Sequence, residues 1–317
     1  MSFKILGTGS YIPPHTVTND DLSKMVDTND EWITKRVGIK TRHIAINETV
    51  GDMAANAAKD ALLNSNVDAA SIDLIIAATI SNDIACPTAA GYVQKEIGAI
   101  CPAFDINSAC SGFIFALETA AAYMKNDSIN RVLVVGTEKI SRIIDWTDRN
   151  TCVIFGDGAG AFVLEKGENY ISSRLYTNAG DDVIKIPSSV LKSPFYTGDE
   201  IKPYIYMNGQ ETFKFAVTRM TEDTEYVINK AGLNVDDINF FVPHQANIRI
   251  IQFAAKKLKT DINKFVVNID KYGNTSAASV PVAFDELNKS GKLKRGDYVV
   301  MSAFGGGLSS AACLIKW

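Results

Sequence analysis

Apolar positions from residue 52 onward alternate between helical spacing and short continuous runs, and the same succession occurs twice along the chain. Helical spacing predicts an amphipathic helix, and a short apolar run predicts a buried strand. The first copy predicts, in chain order, a helix over 53–64, a strand over 72–79, a helix over 89–97, a turn at Cys110 with a helix over 113–124, a strand over 132–136, and a segment over 155–158 that leads into 161–165.

The second copy repeats this order in the last third of the chain. It predicts a helix over 212–231, a strand over 238–242, a helix over 248–258, a turn at Asn274 with a helix over 277–287, a strand over 298–302, and a segment over 304–307 that leads into 311–315. The spacings also agree, since 38 residues separate Ile72 from Cys110 and 36 separate Ile238 from Asn274. Self-similarity of this kind indicates a duplicated structural unit.

The duplication predicts two pseudo-equivalent α/β halves. We place the first half at 1–170, around Cys110, and the second at 171–317, with 172–206 as an insertion over the surface. Apolar strands that alternate with helices favour mostly parallel sheets covered on both faces. Cys110 and Asn274 are then predicted to be symmetry mates at the interface between the halves, which is a common place for a binding site.

The beginning of the chain predicts a short strand over 4–6 that ends at Gly7-Thr8-Gly9. A dinucleotide-binding fingerprint would require a further glycine at position 12, where this chain has Ile12. We therefore exclude a Rossmann-type nucleotide site at this end.

Composition and charge narrow the class of protein. The chain has 317 residues, of which 46% are hydrophobic and 21% charged, and its net charge is −4. These values predict a sizeable core and give no reason to expect nucleic acid or a membrane surface as a partner. The cysteines number five, which is odd, and no secretory signal is evident, so we expect a cytoplasmic protein.

Cys110 is a candidate nucleophile. It lies where an apolar strand is predicted to turn into a helix, and the unpaired N–H groups and dipole at a helix N-terminus favour a thiolate. Its neighbours are small, so a substrate carbonyl can approach the sulfur. The alternative is that Cys110 is a small buried apolar residue, as many free cysteines are.

Two further residues are candidates for the same site. His244 ends an apolar strand, and active-site groups of open α/β sheets gather at the carboxyl ends of strands. A hydrogen-bonded core histidine is the alternative for His244, and a helix N-cap is the alternative for Asn274. Together, a thiol, an imidazole and an amide suit the stabilisation of an enolate or thioester oxygen. The run Gly305-Gly-Gly307 can supply N–H groups to an oxyanion hole or serve only as a tight turn.

Other chemistries find no support in the sequence. No Cys/His cluster has the spacing of a metal site, and no phosphate loop is present, so we expect no metal. Lys214, Arg249, Lys256 and Lys257 stand out on predicted helices of an acidic protein. Their spacing allows one basic face, although solvated lysines are the more common outcome.

These motifs resemble those of the β-ketoacyl-acyl carrier protein synthase III family of the thiolase superfamily. The resemblance covers the whole chain and depends on five stretches: Asp105-Ile-Asn-Ser-Ala-Cys-Ser-Gly-Phe113, Phe155-Gly-Asp-Gly-Ala-Gly160, Val242-Pro-His-Gln-Ala-Asn-Ile-Arg249, Gly273-Asn-Thr-Ser-Ala-Ala-Ser279 and Phe304-Gly-Gly-Gly307. It implies a thiolase-like fold of two pseudo-symmetric α/β halves in αβαβα layers, and a homodimer.

The resemblance also implies an activity and residue roles. Cys110 would take an acyl group from an acyl-CoA, with the N–H groups of Cys110 and Gly306 as the oxyanion hole. His244 and Asn274 would bind the thioester carbonyl of a malonyl-acyl carrier protein and stabilise the enolate formed as carbon dioxide leaves. The remaining roles are coenzyme A binding by Trp32, Arg36 and Arg149, and carrier-protein docking by Lys214, Arg249 and Lys256. No cofactor is implied beyond the coenzyme A thioester substrate.

Two departures from the family pattern bear on the substrate. In the loop that lines the other subunit's acyl pocket, the family usually has a bulky residue at the position of Cys86. In addition, Ser309-Ser310-Ala311 replaces the usual Thr-Trp-Gly. Acetyl-CoA is therefore the default starter, with longer, branched or aromatic acyl groups as alternatives. The alternative functions are a specialised synthase of secondary metabolism and an acyltransferase that acts on an oxygen or nitrogen nucleophile.

Overall fold

The computed structural model describes residues 2–317. Up to residue 167 the strands are β1 (Ser2–Tyr11), β2 (Thr16–Thr18), β3 (Thr41–His43), β4 (Leu74–Ala78), β5 (Ala103–Ile106), β6 (Arg131–Lys139) and β7 (Asp157–Gly167). The helices of this part are α1 (Asn19–Ser23), α2 (Asp30–Val37), α3 (Val50–Ser65), α4 (Ala89–Ile97) and α5 (Gly112–Tyr123), with 3-10 turns at Ala69–Ser71, Ala109–Ser111 and Ile140–Ile143.

The second part of the chain begins with an edge strand. Its strands are β8 (Tyr170–Thr177), β9 (Ile184–Lys185), β10 (Tyr206–Met207), β11 (Phe240–Pro243), β12 (Tyr298–Gly305) and β13 (Ser309–Lys316). Its helices are α6 (Gly209–Lys230), α7 (Ile248–Lys257), α8 (Ile269–Tyr272) and α9 (Ser279–Lys289), with 3-10 turns at Val235–Asp237, Ile262–Lys264 and Ser276–Ala278.

The two main sheets repeat one topology. The first has the strand order β1-β7-β6-β4-β5, and the second has the order β8-β13-β12-β11. Corresponding strand pairs also have the same direction, since β4/β6 and β11/β12 are parallel while the pairs made by β7 and β13 are antiparallel. A single parallel bridge from Phe241 to Phe265 takes the place of β5 in the second sheet. The duplication predicted from the hydrophobic pattern is therefore present in the fold.

The prediction of mostly parallel sheets is wrong. Parallel pairing is confined to the strands that a helix connects, because a parallel pair needs a crossover connection. β12 and β13 are joined by only residues 306–308, and the connection between β6 and β7 carries a 3-10 turn but no α-helix. Both pairs are therefore antiparallel.

The elements stack in five layers. Core side chains of α3 and α4 pack on one face of the first sheet, and those of α6 and α7 pack on one face of the second. The remaining faces of both sheets enclose α5 and α9, whose side chains form a single cluster with them. In β4, Leu74 and Ile76 join this central cluster while Ile75 and Ala77 face α3 and α4, as strand alternation requires. The αβαβα arrangement is confirmed.

Polar caps set where the long helices begin. Thr49 accepts the N–H of Asp52 at 3.0 Å, and Asn208 accepts the N–H of Glu211 at 3.3 Å. Both helices begin about one turn before the predicted start, because the first turn of a helix is fixed by its cap rather than by apolar periodicity.

Two predicted boundaries are wrong for packing reasons. β1 does not end at Gly7 but continues through both glycines to Tyr11, because α3 lies directly against them. A Cβ atom on Gly9 would lie 2.2 Å from the backbone nitrogen of Ala61. Residues 172–177, assigned to a surface insertion, belong to β8, an edge strand whose outer half is largely exposed and lacks an apolar pattern.

We predict that Gly9→Ala destabilises the fold by about 2 kcal/mol, because overpacking of this kind forces the backbone of α3 away from β1. Gly209→Ala is the matched control, since a Cβ atom there meets no atom within 4 Å. Urea unfolding of both variants measures the difference. Equal free energies of unfolding would show that α3 does not rest on β1 as described.

Candidate active site

The candidate nucleophile lies in a strained turn between β5 and α5. Cys110 is half-buried in the 3-10 turn that precedes α5. Ala109 has a φ of +47°, and the side chain of Asn107 accepts its N–H at 3.2 Å. Positive φ values in residues other than glycine persist only where the surroundings hold them, and they cluster at functional sites.

The same turn occurs before α9 in the second half. Ser276 has a φ of +49°, and the side chain of Asn274 accepts its N–H at 2.9 Å. In this match Asn274 corresponds to Asn107, and Cys110 corresponds to Ala277. The prediction that Cys110 and Asn274 are symmetry mates is therefore wrong, since the true mate of Cys110 lies three residues after Asn274. The two turns are nevertheless in contact at the interface between the halves.

His244 follows β11, and its imidazole is 1% exposed. Its Nδ1 lies 3.0 Å from Oγ of Ser279, and the same oxygen accepts the N–H of Gln245 at 2.7 Å. The Ser279 hydroxyl can donate its proton to Nδ1, and in that tautomer the imidazole carries its own proton on Nε2. The ring of Phe304 packs edge-on at a centroid distance of 5.3 Å and fixes the other side of the imidazole.

Burial governs the charge of both groups. It lowers the pKa of His244 to about 3, so the imidazole is neutral near pH 7. It also raises the pKa of the Cys110 thiol to about 12, opposed by a hydrogen bond with Ser276 and reinforced by the negative charge of Glu138. This loss of hydration opposes the thiolate that the helix N-terminus is expected to favour.

The glycine hairpin between β12 and β13 lies directly over the nucleophile. A Cβ atom on Gly305 would lie 2.7 Å from the backbone nitrogen of Cys110, so a side chain at this position would clash with the turn. Gly306 follows at the cleft surface, where a Cβ atom would lie 3.6 Å from that of Ala109. The run is therefore both a tight turn and a wall of the site.

One cleft of about 1770 Å³ brings most of the predicted site residues together. Its lining includes Cys110, His244, Asn274, Gly306, Trp32, Arg36, Lys214 and Arg249. Arg149, Lys256 and Cys86 do not line it, although the Arg149 guanidinium lies 5.4 Å from the Trp32 ring centroid. Cys86 is exposed, and Lys256 is exposed on α7 beyond the cleft.

Sequence reasoning missed three polar groups beneath the cleft floor. Ser276 and Ser279 lie in one of the five motifs but were assigned no role, and Glu138, the penultimate residue of β6, is 0% exposed. Burial raises the pKa of Glu138 to about 7, although hydrogen bonds from Ser81, Ile80 and Ser276 oppose the rise. An acidic residue two positions after the predicted apolar strand over 132–136 was the available signal.

Metal sites and membrane-spanning helices are not found in the described part of the chain. Over the described range 2–317, no group of three or more His, Cys, Asp or Glu residues has the arrangement of a metal site. Within the same range, no helix has the length and apolar character needed to cross a bilayer.

Comparisons with known proteins agree with this geometry. The chain matches the family described as 3-Oxoacyl-[acyl-carrier-protein (ACP)] synthase III over residues 104–181 and the C-terminal part of that family over residues 228–317. A β-ketoacyl-[acyl-carrier-protein] synthase III from Clostridium acetobutylicum is 50% identical over 100% of this chain and 99% of the relative.

Solved structures give the same result. The 3-oxoacyl-[acyl-carrier-protein] synthase III of Aquifex aeolicus has a TM-score of 0.92 and 44% identity, covering 99% of this chain and 100% of that one. The priming β-ketosynthase of the R1128 polyketide pathway has a TM-score of 0.93 and 35% identity, covering 99% and 96%. The fold of this chain and its similarity to these relatives show that it is a thiolase-like condensing enzyme, a class that transfers acyl groups. Within that class, the chain belongs to the β-ketoacyl-acyl carrier protein synthase III family, which confirms the resemblance drawn from its motifs.

We predict that His244 makes stability depend on pH. Its pKa is lower in the folded chain than the ordinary 6.5, so the unfolded chain binds the extra proton and stability falls as pH decreases below 6.5. Lowering the pH from 7 to 5 should therefore reduce the free energy of unfolding by about 2 kcal/mol through this group. Urea unfolding of wild type and His244→Gln at both pH values isolates the effect. A stability difference between the two proteins that does not change with pH would contradict the buried, neutral imidazole.

Proposed function

We propose that the chain initiates fatty-acid synthesis by decarboxylative Claisen condensation of an acyl-CoA starter, acetyl-CoA by default, with malonyl-acyl carrier protein. The observation that carries the proposal is the convergence of Cys110, His244 and Asn274 on one cleft between the two halves. The product is a 3-oxoacyl-acyl carrier protein. Free cysteines, with no disulfide among residues 2–317, support a reaction in the cytoplasm.

Acylation comes first. The Cys110 thiol loses its proton as its sulfur attacks the thioester carbonyl of the acyl-CoA, and coenzyme A leaves as a thiolate that takes up a proton. The backbone N–H groups of Cys110 and Gly306 stabilise the oxyanion, a role supported by the close approach of the glycine hairpin to the nucleophile turn. A purely structural role for Cys110, or for the glycine hairpin, does not explain why both line the cleft.

Condensation follows without a general base. Loss of carbon dioxide from the malonyl thioester leaves its bonding electrons as an enolate, which attacks the acyl carbon and expels the Cys110 thiolate. The Nε2–H of neutral His244 and the amide of Asn274 donate to the enolate oxygen. The Asn274 carbonyl oxygen already accepts the Ser276 N–H, which leaves its amide hydrogens for the substrate.

The cleft mouth is suited to coenzyme A. Arg36 and Arg149 both lie over the Trp32 ring, at 5.1 and 5.4 Å from its centroid. An adenine stacked on Trp32 must take the place of one of these two guanidinium groups. Arg149 is the residue that we expect to move, because its contacts with Asp27 are exposed. We assign Trp32, Arg36 and Arg149 to coenzyme A binding, with Arg149 swinging onto the far face of the adenine.

The carrier protein docks beside the cleft. Lys214 on α6 and Arg249 on α7 are exposed at its mouth, and Lys256 lies two turns further along α7 on the same face as Arg249. Arg249 also packs over the ring of Phe213, which ties the two helices together. An acidic carrier protein is the partner that suits such a face.

A homodimer is supported by the edge of the first sheet. β5 is an edge strand, and near it Ile100 and Tyr123 are 91% and 46% exposed. Unpaired strand edges with apolar neighbours favour association. Cys86 is exposed near this edge and would reach the partner's acyl pocket, where its small side chain leaves room for a larger starter. This observation favours, as the second candidate function, a specialised synthase like the R1128 priming enzyme.

Separate assays of the two half-reactions test the proposed function. We expect Cys110→Ser to abolish acylation by acetyl-CoA. His244→Ala and Asn274→Ala should acylate within about threefold of wild type but lose about 100-fold or more in condensation, because each removes an enolate donor. His15→Ala, a histidine exposed outside the cleft, is the control. Normal acylation of Cys110→Ser would refute the nucleophile, and loss of both half-reactions in Asn274→Ala would make that residue structural.

Charge reversal on α7 tests the docking surface. Lys256→Glu should raise the KM for malonyl-acyl carrier protein about fivefold, as loss of an exposed ion pair implies, without changing acylation, because Lys256 lies outside the cleft. The effect should shrink at high ionic strength. Lys125→Glu, the same reversal beyond the far end of α5, should have no effect. Equal KM values for the two variants would show that the carrier protein docks elsewhere.

A further inference from the structure

The hydroxyl of Ser309 lies between the glycine hairpin and the turn that carries the nucleophile, and the reaction described above gives it no role. Ser309 is the first residue of β13 and is 2% exposed at the wall of the cleft. Its Oγ lies 2.8 Å from the carbonyl oxygen of Gly306, 3.2 Å from that of Ser108 and 2.9 Å from Oγ of Ser111. One side chain therefore contacts both structures that would surround an oxyanion on Cys110.

The two hydroxyl groups at this contact supply two protons. We assign the Ser309 proton to the Gly306 carbonyl oxygen, which is its shortest contact. The Ser111 proton can go to Oγ of Ser309 at 2.9 Å or to the carbonyl oxygen of Ser108 at 2.8 Å, because a serine oxygen accepts as well as donates. In both arrangements Ser309 donates to Gly306 while its oxygen lies against the nucleophile turn.

The position of Ser309 is fixed from the other face of β13. Successive side chains of a strand point to opposite faces, so the side chain of Ser310 faces α6. There Oγ of Ser310, which is completely buried, accepts the Nε–H of Arg219 at 3.1 Å and donates to Asp223 at 2.6 Å. A shift of the strand that carries the Ser309 hydroxyl would therefore break a buried ionic network, which is costly.

The tip of the glycine hairpin needs such a constraint. On one side Gly305 lies close to the backbone of Cys110, and on the other side the two residues that follow Gly306 are hydrogen-bonded through main-chain atoms to residues 178–180 at 2.8 Å. Gly306 lies between these fixed points, and glycine has more accessible backbone conformations than any other residue. A hydrogen bond to its carbonyl oxygen limits rotation at Gly306 and so helps to set the direction of its N–H.

We propose that Ser309 is a positioning residue that holds the Gly306 N–H toward the oxyanion formed during acyl transfer to Cys110. The proposal rests on the acyl-transfer function argued above, and it gives Ser309 no bond to the substrate and no proton to transfer. Donors stabilise a developing oxyanion best when their direction is set before the reaction, because they then need no reorganisation. The hydroxyl of Ser309 supplies that constraint.

Two reactions of Cys110 separate this role from general support of the fold. Acylation by acetyl-CoA passes through a tetrahedral oxyanion, whereas alkylation by iodoacetamide displaces iodide and forms no oxyanion. In Ser309→Ala we expect the acylation rate at saturating acetyl-CoA to fall about 30-fold, because the N–H is misdirected rather than removed. The half-saturating concentration and the alkylation rate should each stay within about twofold of wild type. Rapid-quench mass spectrometry with peptide mapping measures both reactions.

A matched pair of variants tests the hydroxyl itself. Ser309→Thr keeps the hydroxyl and should acylate within about threefold of wild type, whereas Ser309→Val has nearly the shape of threonine without the hydroxyl and should lose as much as Ser309→Ala. Ser172→Ala is the control, because this buried hydroxyl of the same sheet also donates to a backbone carbonyl, that of Val227 at 2.6 Å, but lies outside the cleft. It should leave both reactions unchanged.

Acylation of Ser309→Ala at the wild-type rate would overturn the role of Ser309. An equal fall in acylation and alkylation would also overturn it, because Ser309 would then support the nucleophile turn rather than the oxyanion hole. If wild type is alkylated but no acyl-CoA acylates it, the proposed function fails, and the role of Ser309 fails with it. Thermal unfolding establishes that each variant is folded, and the comparison of Ser309→Thr with Ser309→Val decides the matter if Ser309→Ala is not.

Discussion

The architecture depends on the shared central layer. Each sheet must cover two apolar faces, and each half supplies outer helices for only one of them. The inner faces are covered jointly, by α5 from the first half and α9 from the second. Since both helices begin at the carboxyl ends of parallel strands or at the equivalent turn, their amino ends meet between the halves. The site is therefore a consequence of how the duplicated halves bury their remaining apolar surface.

Burial at this interface also sets the chemistry. It keeps His244 uncharged, keeps the Cys110 thiol protonated and holds Glu138 near the point of ionisation. A neutral imidazole donates a hydrogen bond to a developing enolate without taking a proton from the substrate, which suits a reaction that obtains its electron pair by decarboxylation. The same loss of hydration opposes ionisation of the Cys110 thiol.

The sequence predicted the repeated order of elements and the residues that line the cleft, because both follow from periodic burial and from short motifs. It did not predict strand direction in the outer parts of the sheets, which depends on whether a helix intervenes. The β1 glycines were misread as a turn because the helix packed against them is distant in sequence. Ser276 and Glu138 meet only across the interface, and Ser279 contacts His244 from a different element of the same half, so no local pattern reports these contacts.

Intact-protein mass spectrometry after incubation with a panel of acyl-CoAs tests the central claim most directly, with peptide mapping to locate the adduct. The account predicts one acyl group per chain, on Cys110, and the preferred acyl length reports whether the small residue at position 86 enlarges the pocket. An adduct on another cysteine, or no adduct from any acyl-CoA, would contradict the claim that this interface is an acyl-transfer site.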